Sequence, residues 1–365
     1  MAEVCVSAEQ ARRFVLSRQG LISPCETPMD AVRAVFGVQT QYAASVPTAL
    51  AARTGSVCAA WPEEALRGGE LVKSWTMRIT LHTHSASDHA LALSALARPF
   101  LERYHGFMCE MKGFGLERLA ETQTRILHEL AEGPLSRAEV HGRIPLLREI
   151  PASGWGMDFM GLALQGKVGV RGSEHGSALF GLISTPPALD EAEARKELVR
   201  RYLSSYGPAA PRDFAYWSGL KGHEVRPVWE ALAGELTPVR VEGIKPACYV
   251  LSCDVEAVRA ETADPPAALL PKFDPLSLGH REKAAFFMPE HLPAVFRKAG
   301  QVEAIALVHG RAAGTWRLVR HSREAVVRLW PFGKIARAEL RGLEAGAVRL
   351  GSALGTACRL EVCSG

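Results

Sequence analysis

A chain of 365 residues is too long for one small core, so roughly two to four units are expected. Apolar residues make up 47% and charged residues 22%, which excludes wholesale disorder. The net charge of +4 permits a nucleic-acid partner without demanding one. The cations are 33 Arg against 10 Lys, and Arg offers a planar fork suited to phosphate oxygens; a GC-rich genome is the plainer reason for that excess.

The first element is a helix. Ser7 and Gln10 have capping-box spacing, Val6 can act as staple, Phe14, Val15 and Leu16 supply apolar surface, and Gly20 stops the helix. A second helix opens at Thr27-Pro28 and ends at Gly37, and a third begins near Pro47-Thr48. Strand-like text follows from Trp75 to His84. Three short helices and then strands form the pattern of a winged helix-turn-helix, placed at 1–110.

The pattern then recurs. An amphipathic helix is expected over Leu116–Glu132, broken by Gly133-Pro134. Ser136 caps a short helix with Glu139 in the box position, and a further helix lies around Met157–Gln165. The runs KVGVRG and SALFGLIS read as a hairpin, completing a second unit at 111–187. A third unit, 188–242, has a helix over Asp190–Ser205, a turn bracketed by Pro208 and Pro211, helices at Arg212–Gly219 and Glu224–Gly234, and strand text at Leu236–Val241. Beyond this, short β-rich runs from 243 to 365 suit a small barrel or sandwich, interrupted by one helix near Arg337–Leu343. The expected fold class is α+β: three tandem winged-helix motifs followed by a C-terminal β-barrel-like domain.

Several chemistries are not expected. The sequence has no G-x-S-x-G elbow, P-loop or H-E-x-x-H. The pairs Cys248/Cys253 and Cys358/Cys363 have four intervening residues, where zinc ribbons favour two. In strand-like text that offset puts the partners on opposite faces. His82 and His84 share a strand face, but no carboxylate or cysteine completes a set, so they read as packing or DNA-contact residues. Neither metal nor cofactor is expected. The N-terminal text turns charged before an apolar core develops, and no run of 18 apolar residues occurs, so no leader or span is expected and the free thiols fit a reducing cytoplasm.

The stretch GVQTQYAASVPTAL is the candidate site. Gln39 and Gln41 follow the helix stop at Gly37. In extended backbone their side chains share a face, about 6.6 Å apart, whereas in a helix they would diverge by roughly 200°. Each amide is both donor and acceptor, so two facing one way can hold one water from two sides. On residue type alone, a polar loop beside a helix start is the simpler reading.

The chain resembles the winged-helix DNA glycosylases of the AlkZ/YcaQ family over nearly its whole length. The likeness rests on GVQTQYAASVPTALAAR, WTMRITLHTHSASDH, RYLSSYGPAAPRDFAYWSGL, LLPKFDPLSLGHREK and VHGRAAGTWR. That family carries a catalytic Gln-Φ-Gln or Gln-Φ-Asp motif. Here it reads Gln39-Thr40-Gln41, which implies the AlkZ-like branch, with Thr40 standing where the middle residue is usually apolar. The resemblance implies a bacterial base-excision enzyme in which Gln39 and Gln41 aim a water at C1′. It also implies tolerance of bulky N7 adducts and interstrand crosslinks.

Glutamine chemistry suits only a good leaving group. An N7- or N3-alkylated purine already carries positive charge, so it departs without a proton, and the enzyme has chiefly to orient water and stabilise an oxocarbenium-like sugar. No lysine neighbours the motif in sequence, so a Schiff-base lyase step is not expected and the product is an abasic site.

For DNA contacts, the resemblance assigns a groove-reaching hairpin to the turn His309-Gly310-Arg311, with His309 and Arg311 as its contacts. Lys73 and Arg78 near the first wing are expected phosphate partners, and Asp274 in KFDPL is expected to cap a turn before Pro275. The partner is thus double-stranded DNA containing alkylated purines, bound by a cytoplasmic monomer with no protein partner. Two competing readings are a non-catalytic winged-helix DNA-binding protein or transcription regulator, which needs no paired glutamines, and a degenerate scaffold, which would bind no DNA.

Overall fold

The computed structural model describes residues 4–112, 114–150, 156–184, 189–260 and 263–363; the expected boundary at 187/188 lies outside them. The fold is mixed α+β. The chain forms two compact units, one of Met1–Trp61 with Val199–Gly365 and one of Pro62–Leu198. Among the described residues, no helix is long and apolar enough to cross a membrane.

The N-terminal segment follows its local signals. Strand β1 (Val4–Val6) leads into helix α1 (Ala8–Arg18). The capping box forms: Gln10 N donates to Ser7 Oγ at 3.0 Å, and Ser7 N donates to Gln10 Oε1 at 2.9 Å. Helix α2 (Pro28–Ala34) is capped by Thr27. It ends earlier than the expected Gly37 because Phe36 and Gly37 close a Schellman turn, with Gly37 N on Val32 O at 2.9 Å and Phe36 N on Arg33 O at 3.0 Å. Phe36 itself takes the left-handed position, at φ 53°. Strand β2 (Val38–Gln39) and helix α3 (Ser45–Arg53) follow.

The unit Pro62–Leu198 takes in most of helix α4 (Trp61–Gly68), then strands β3 (Leu71–Trp75) and β4 (Leu81–Ser85) and helix α5 (Ala86–Lys112). The strand text expected at Trp75–His84 therefore holds the last residue of β3, the turn of a hairpin and most of β4, while the first side begins earlier, at Leu71. Its turn holds Arg78 and Ile79 in left-handed backbone at φ 56° and 55°. Helix α5 has 27 residues and no counterpart in the expectation. Its run Leu91, Ala92, Leu93, Ala95, Leu96 is apolar nearly all round and buried, and Pro99 interrupts it, so no amphipathic period marks it. Then come α6 (Leu116–Leu130), β5 (Leu135–Ser136), α7 (Arg137–Arg143), α8 (Met157–Leu164), β6 (Val168–Glu174) and β7 (Ser177–Leu182). The sheet of this unit runs β4-β3-β6-β7-β5.

Helix α9 (Glu191–Tyr206) returns the chain to the first unit. Helices α10 (Pro211–Ser218) and α11 (Gly222–Ala231) precede strands β8 (Leu236–Val241) and β9 (Cys248–Leu251) and helix α12 (Val255–Arg259). Strand β1 pairs in parallel with β8, and β8 antiparallel with β9.

The C-terminal part holds β10 (Ala268–Leu270), α13 (Pro275–Leu278), α14 (Leu292–Val295), β11 (Ala304–Val308), β12 (Arg311–Arg320), β13 (Glu324–Pro331), α15 (Arg337–Leu354) and β14 (Ala357–Val362). Its five strands form one sheet in chain order, antiparallel except for β13 with β14, whose parallel pairing needs the crossover that α15 supplies. Helix α15 runs eleven residues past the expected end at Leu343, to Leu354. Glycines hide it in sequence, yet Gly351 is required: a Cβ there would lie 2.6 Å from Thr356 O.

Two cores meet on α1. Ala11 and Phe14 pack with Val4, Val6, Val239, Val241 and Val250, while Val15 and Leu16 join Leu270, Phe273, Ile305 and Leu307. Helix α3, which follows the glutamines, packs on α15 and β10. The candidate site is thereby mounted on the C-terminal sheet.

Candidate active site around the glutamine motif

The chain enters the motif from a pinned position. The Phe36 ring is fully buried, 5.6 Å from the Trp217 ring and under the Arg201 guanidinium at 5.3 Å. The Tyr206 hydroxyl donates to Val35 O at 2.8 Å. The expected extended geometry covers only the first glutamine: β2 ends at Gln39 and the chain bends at Gln41, because α3 already begins at Ser45. The two amides consequently differ. Gln39 is 6% exposed and Thr40 4%, while Gln41 faces solvent. Thr40, the polar middle residue, is thus accommodated inside the fold.

The exit from the motif is clamped by residues more than 200 positions away. The Tyr42 ring stacks on Phe273 at 6.1 Å with a 20° interplanar angle, and its hydroxyl donates to Gln301 Oε1 at 3.1 Å. Lys272 Nζ lies 5.5 Å from the centre of the same ring and 2.9 Å from Glu303 Oε2, a carboxylate whose residue is 7% exposed. The sequence puts no lysine beside the motif, but the fold does. Phe273 sits in left-handed backbone at φ 58°, an unfavourable state for a bulky residue that surrounding packing must hold.

The next residue along, Asp274, braces the other end of α3. Arg53 Nη1 donates to Asp274 Oδ2 at 2.9 Å and Nη2 to Oδ1 at 2.8 Å. The Arg53 side chain runs back along its own helix, as helical side chains do, and Nη1 also donates to Ala49 O at 3.2 Å. Asp274 further accepts from Leu276 N at 2.9 Å, so it caps α13 before Pro275 as the sequence suggests. Its partner Arg53 carried no signal in sequence, because nothing local distinguishes an arginine that will be buried.

The expected DNA-contact residues are found in two settings. The turn between β11 and β12 has two residues, His309 at φ 47° and Gly310 at φ 71°, the left-handed pair a two-residue hairpin needs. Its tip does not project freely: a Cβ on Gly310 would lie 2.8 Å from Leu16 Cδ1 and 3.3 Å from Arg12 Nε. His309 is exposed, with Nε2 3.2 Å from Glu339 Oε1. Arg311 Nη1 donates to Ala284 O at 3.4 Å, while Arg12, 8% exposed, reaches Ala285 O at 3.5 Å. Burial, with the nearby Arg311 charge adding to it, holds the Arg12 pKa below its usual value. Two guanidiniums so placed make an electropositive spot at the foot of the hairpin.

Lys73 is half-buried in β3, flanked by β4 and β6, and burial lowers its pKa against the opposing pull of Glu63. Arg78 Nη2 donates to His82 Nε2 at 3.2 Å, and His82 Nδ1 donates to Thr80 O at 2.9 Å, which fixes a neutral Nδ1–H tautomer. His82 and His84 are buried and stacked at 5.6 Å, so of the two roles expected for them, packing is the one they fill. Burial holds the His82 pKa well below the usual value, with the Arg78 charge adding to it. Among the described residues no three His, Cys, Asp or Glu side chains come together as a metal set.

Comparison with known proteins bears on this arrangement. Residues 32–353, which include both glutamines, match the family described as DNA glycosylase AlkZ-like. A relative from Streptomyces sahachiroi, described as an interstrand DNA cross-link repair glycosylase, is 28% identical over 353 residues, spanning 91% of this chain and 92% of its own length. The solved structure of Streptomyces sahachiroi DNA glycosylase AlkZ superposes with a TM-score of 0.82 at 25% identity, covering 99% of this chain and all of that one.

Proposed function

Given that the chain belongs to the AlkZ-like DNA glycosylase family, we propose that it is a monofunctional glycosylase hydrolysing the N-glycosidic bond of N7- or N3-alkylated purines in duplex DNA. The observation that carries this reading is the family match across 32–353 with Gln39-Thr40-Gln41 inside it.

In the proposed reaction the C1′–N bond breaks first, and its electron pair neutralises the cationic base, which leaves without a proton. Water then adds to C1′ and loses one proton to solvent, leaving an abasic site. Gln39 acts from the buried side and Gln41 from the solvent side. Their carbonyl oxygens orient the water and turn dipoles toward the developing sugar cation. Tyr42, held by Phe273, Gln301 and Lys272, keeps Gln41 at one place. Lys272 stands close by, but its Nζ is engaged by Glu303 Oε2 at 2.9 Å, and this favours hydrolysis without a lyase step.

His309 and Arg311 are proposed as contacts to the groove and backbone, with Lys73 and Arg78 as further phosphate partners. Residues 1–110, 111–187 and 188–242 are read as three winged-helix units and 243–365 as a barrel-like domain. The helix pair α10–α11 followed by β8, and α6 to α8 followed by β6–β7, support that succession. Acceptance of bulky adducts or crosslinks is proposed by likeness to the Streptomyces relative. The enzyme is proposed to work as a monomer on DNA in a bacterial cytoplasm.

The test is a duplex carrying one N7-methylguanine, incubated with the protein and then heated in alkali. Strand cleavage at the lesion is expected. Absence of cleavage there and on a bulkier N7 adduct, with salt-sensitive binding retained, would favour a non-catalytic DNA-binding protein.

A further inference from the structure

Helices α10 and α11 border an open cleft of about 570 Å³ that the glutamine chemistry does not use. Its size falls within the range of small-ligand sites. Three guanidiniums, Arg212, Arg226 and Arg281, line it together with Tyr216, Trp229 and a single carboxylate, Glu230. The charges are poorly compensated. Arg226 reaches Glu230 only at 4.0 Å, and Arg212 reaches Glu282 at 3.7 Å, both longer than a hydrogen bond. The Arg281 backbone N donates to Asp213 Oδ1 at 2.9 Å, while its guanidinium makes no ion pair among the described residues.

Trp229 gives a second, independent pointer. The residue is 7% exposed, its ring is fixed against Phe214 at 6.2 Å and Tyr249 at 5.7 Å, and its buried Nε1–H finds no acceptor among the described residues. A buried donor left unsatisfied is destabilising, and an acceptor from a ligand would recover that loss.

We infer that this cleft is a nucleotide site, taking one phosphate-bearing nucleotide of a DNA strand away from the glutamines. The phosphate oxygens meet the guanidinium forks, which match them in bidentate fashion. The half-buried Tyr216 borders the cleft beneath Lys283 Nζ, 4.6 Å from its ring centre, which adds a further cation; the Trp229 N–H supplies a donor, and Glu230 accepts from an exocyclic amino group. A lipid or protein surface would leave the guanidiniums and the indole donor unexplained together. The inference does not rest on the catalytic role of Gln39 and Gln41.

Titration of the full-length protein with dGMP, by calorimetry and Trp fluorescence, tests it. Saturable one-to-one binding is expected. It should weaken at least tenfold in Arg226→Glu with Arg281→Glu, two solvent-facing changes whose folding is checked by the unfolding midpoint, and remain unchanged in Gln41→Ala. Inorganic phosphate alone should compete at least tenfold less well. The inference is overturned if dGMP does not saturate at millimolar concentration, if the double variant binds as well as the parent, or if phosphate alone binds equally. Base excision assayed in parallel reports separately on the glutamines.

Discussion

Arg53 and Asp274 lie 221 residues apart in sequence and meet in a two-pronged ion pair at which the side chains are 1% and 0% exposed. The pair ties the end of the helix that follows the glutamines to the turn that carries Lys272 and Phe273. Removing one member leaves an uncompensated buried charge. Arg53→Ala or Asp274→Ala is therefore expected to cost about 3–5 kcal/mol in denaturant unfolding, with Arg53→Met plus Asp274→Leu costing less than either. Single variants within about 1 kcal/mol of the parent would refute the brace.

The glutamines should separate by burial. Gln41→Ala is expected to lower kcat on N7-methylguanine duplex by roughly 10²–10³ with stability unchanged, since the loss is of a dipole at the developing charge. Gln39→Ala should lower kcat similarly and also lower the unfolding midpoint, because Gln39 is buried. Full activity in the double variant would remove both from the chemistry.

Tyr42 is expected to act through Gln41 without touching the reacting atoms. Tyr42→Phe loses one hydrogen bond and keeps the stack, so kcat should fall less than about threefold, whereas Tyr42→Ala frees the bend and should reduce kcat about tenfold with KM unchanged. A rise in KM alone would mean that the ring binds DNA.

At the hairpin, Arg311→Ala should weaken binding of undamaged and damaged duplex alike and reduce the salt slope of log K by about one. Gly310→Ala should reduce stability instead, since the position needs φ 71° and has Leu16 Cδ1 2.8 Å from the added carbon. An unchanged salt slope in Arg311→Ala would take the hairpin out of the DNA interface.

Acid should destabilise the fold through His89. Burial, with the His84 charge contributing, pushes its pKa down to about 3, so the unfolded chain takes up a proton below about pH 6.5 and the folded chain does not. Stability therefore falls as pH drops from about 6.5 towards 3, by about 2 kcal/mol at pH 5, and His89→Leu should flatten that slope. Unfolding curves of the two proteins between pH 7 and 5 that stay parallel would contradict this.

What the sequence determined by itself was short-range. The α1 capping box, the Thr27 cap and the Asp274 cap all depend on partners within a few residues, and each formed where its residues stand. Gln39 and Gln41 were likewise visible as a polar pair after a helix stop, but the extended backbone expected for both ends at Gln39, where the chain bends towards α3, a helix packed on α15 and β10. Only the tertiary structure decided that Tyr42 rests on Phe273, that Lys272 stands beside the motif, and that one arginine of 33 is buried against Asp274. Helix α5 and the part of α15 beyond Leu343 were hidden for a related reason: apolar or glycine-rich faces have no period until a partner surface covers them. Capping energies are settled by neighbours along the chain, whereas burial of a charge or a ring is settled by whichever distant segment the sheet brings to it.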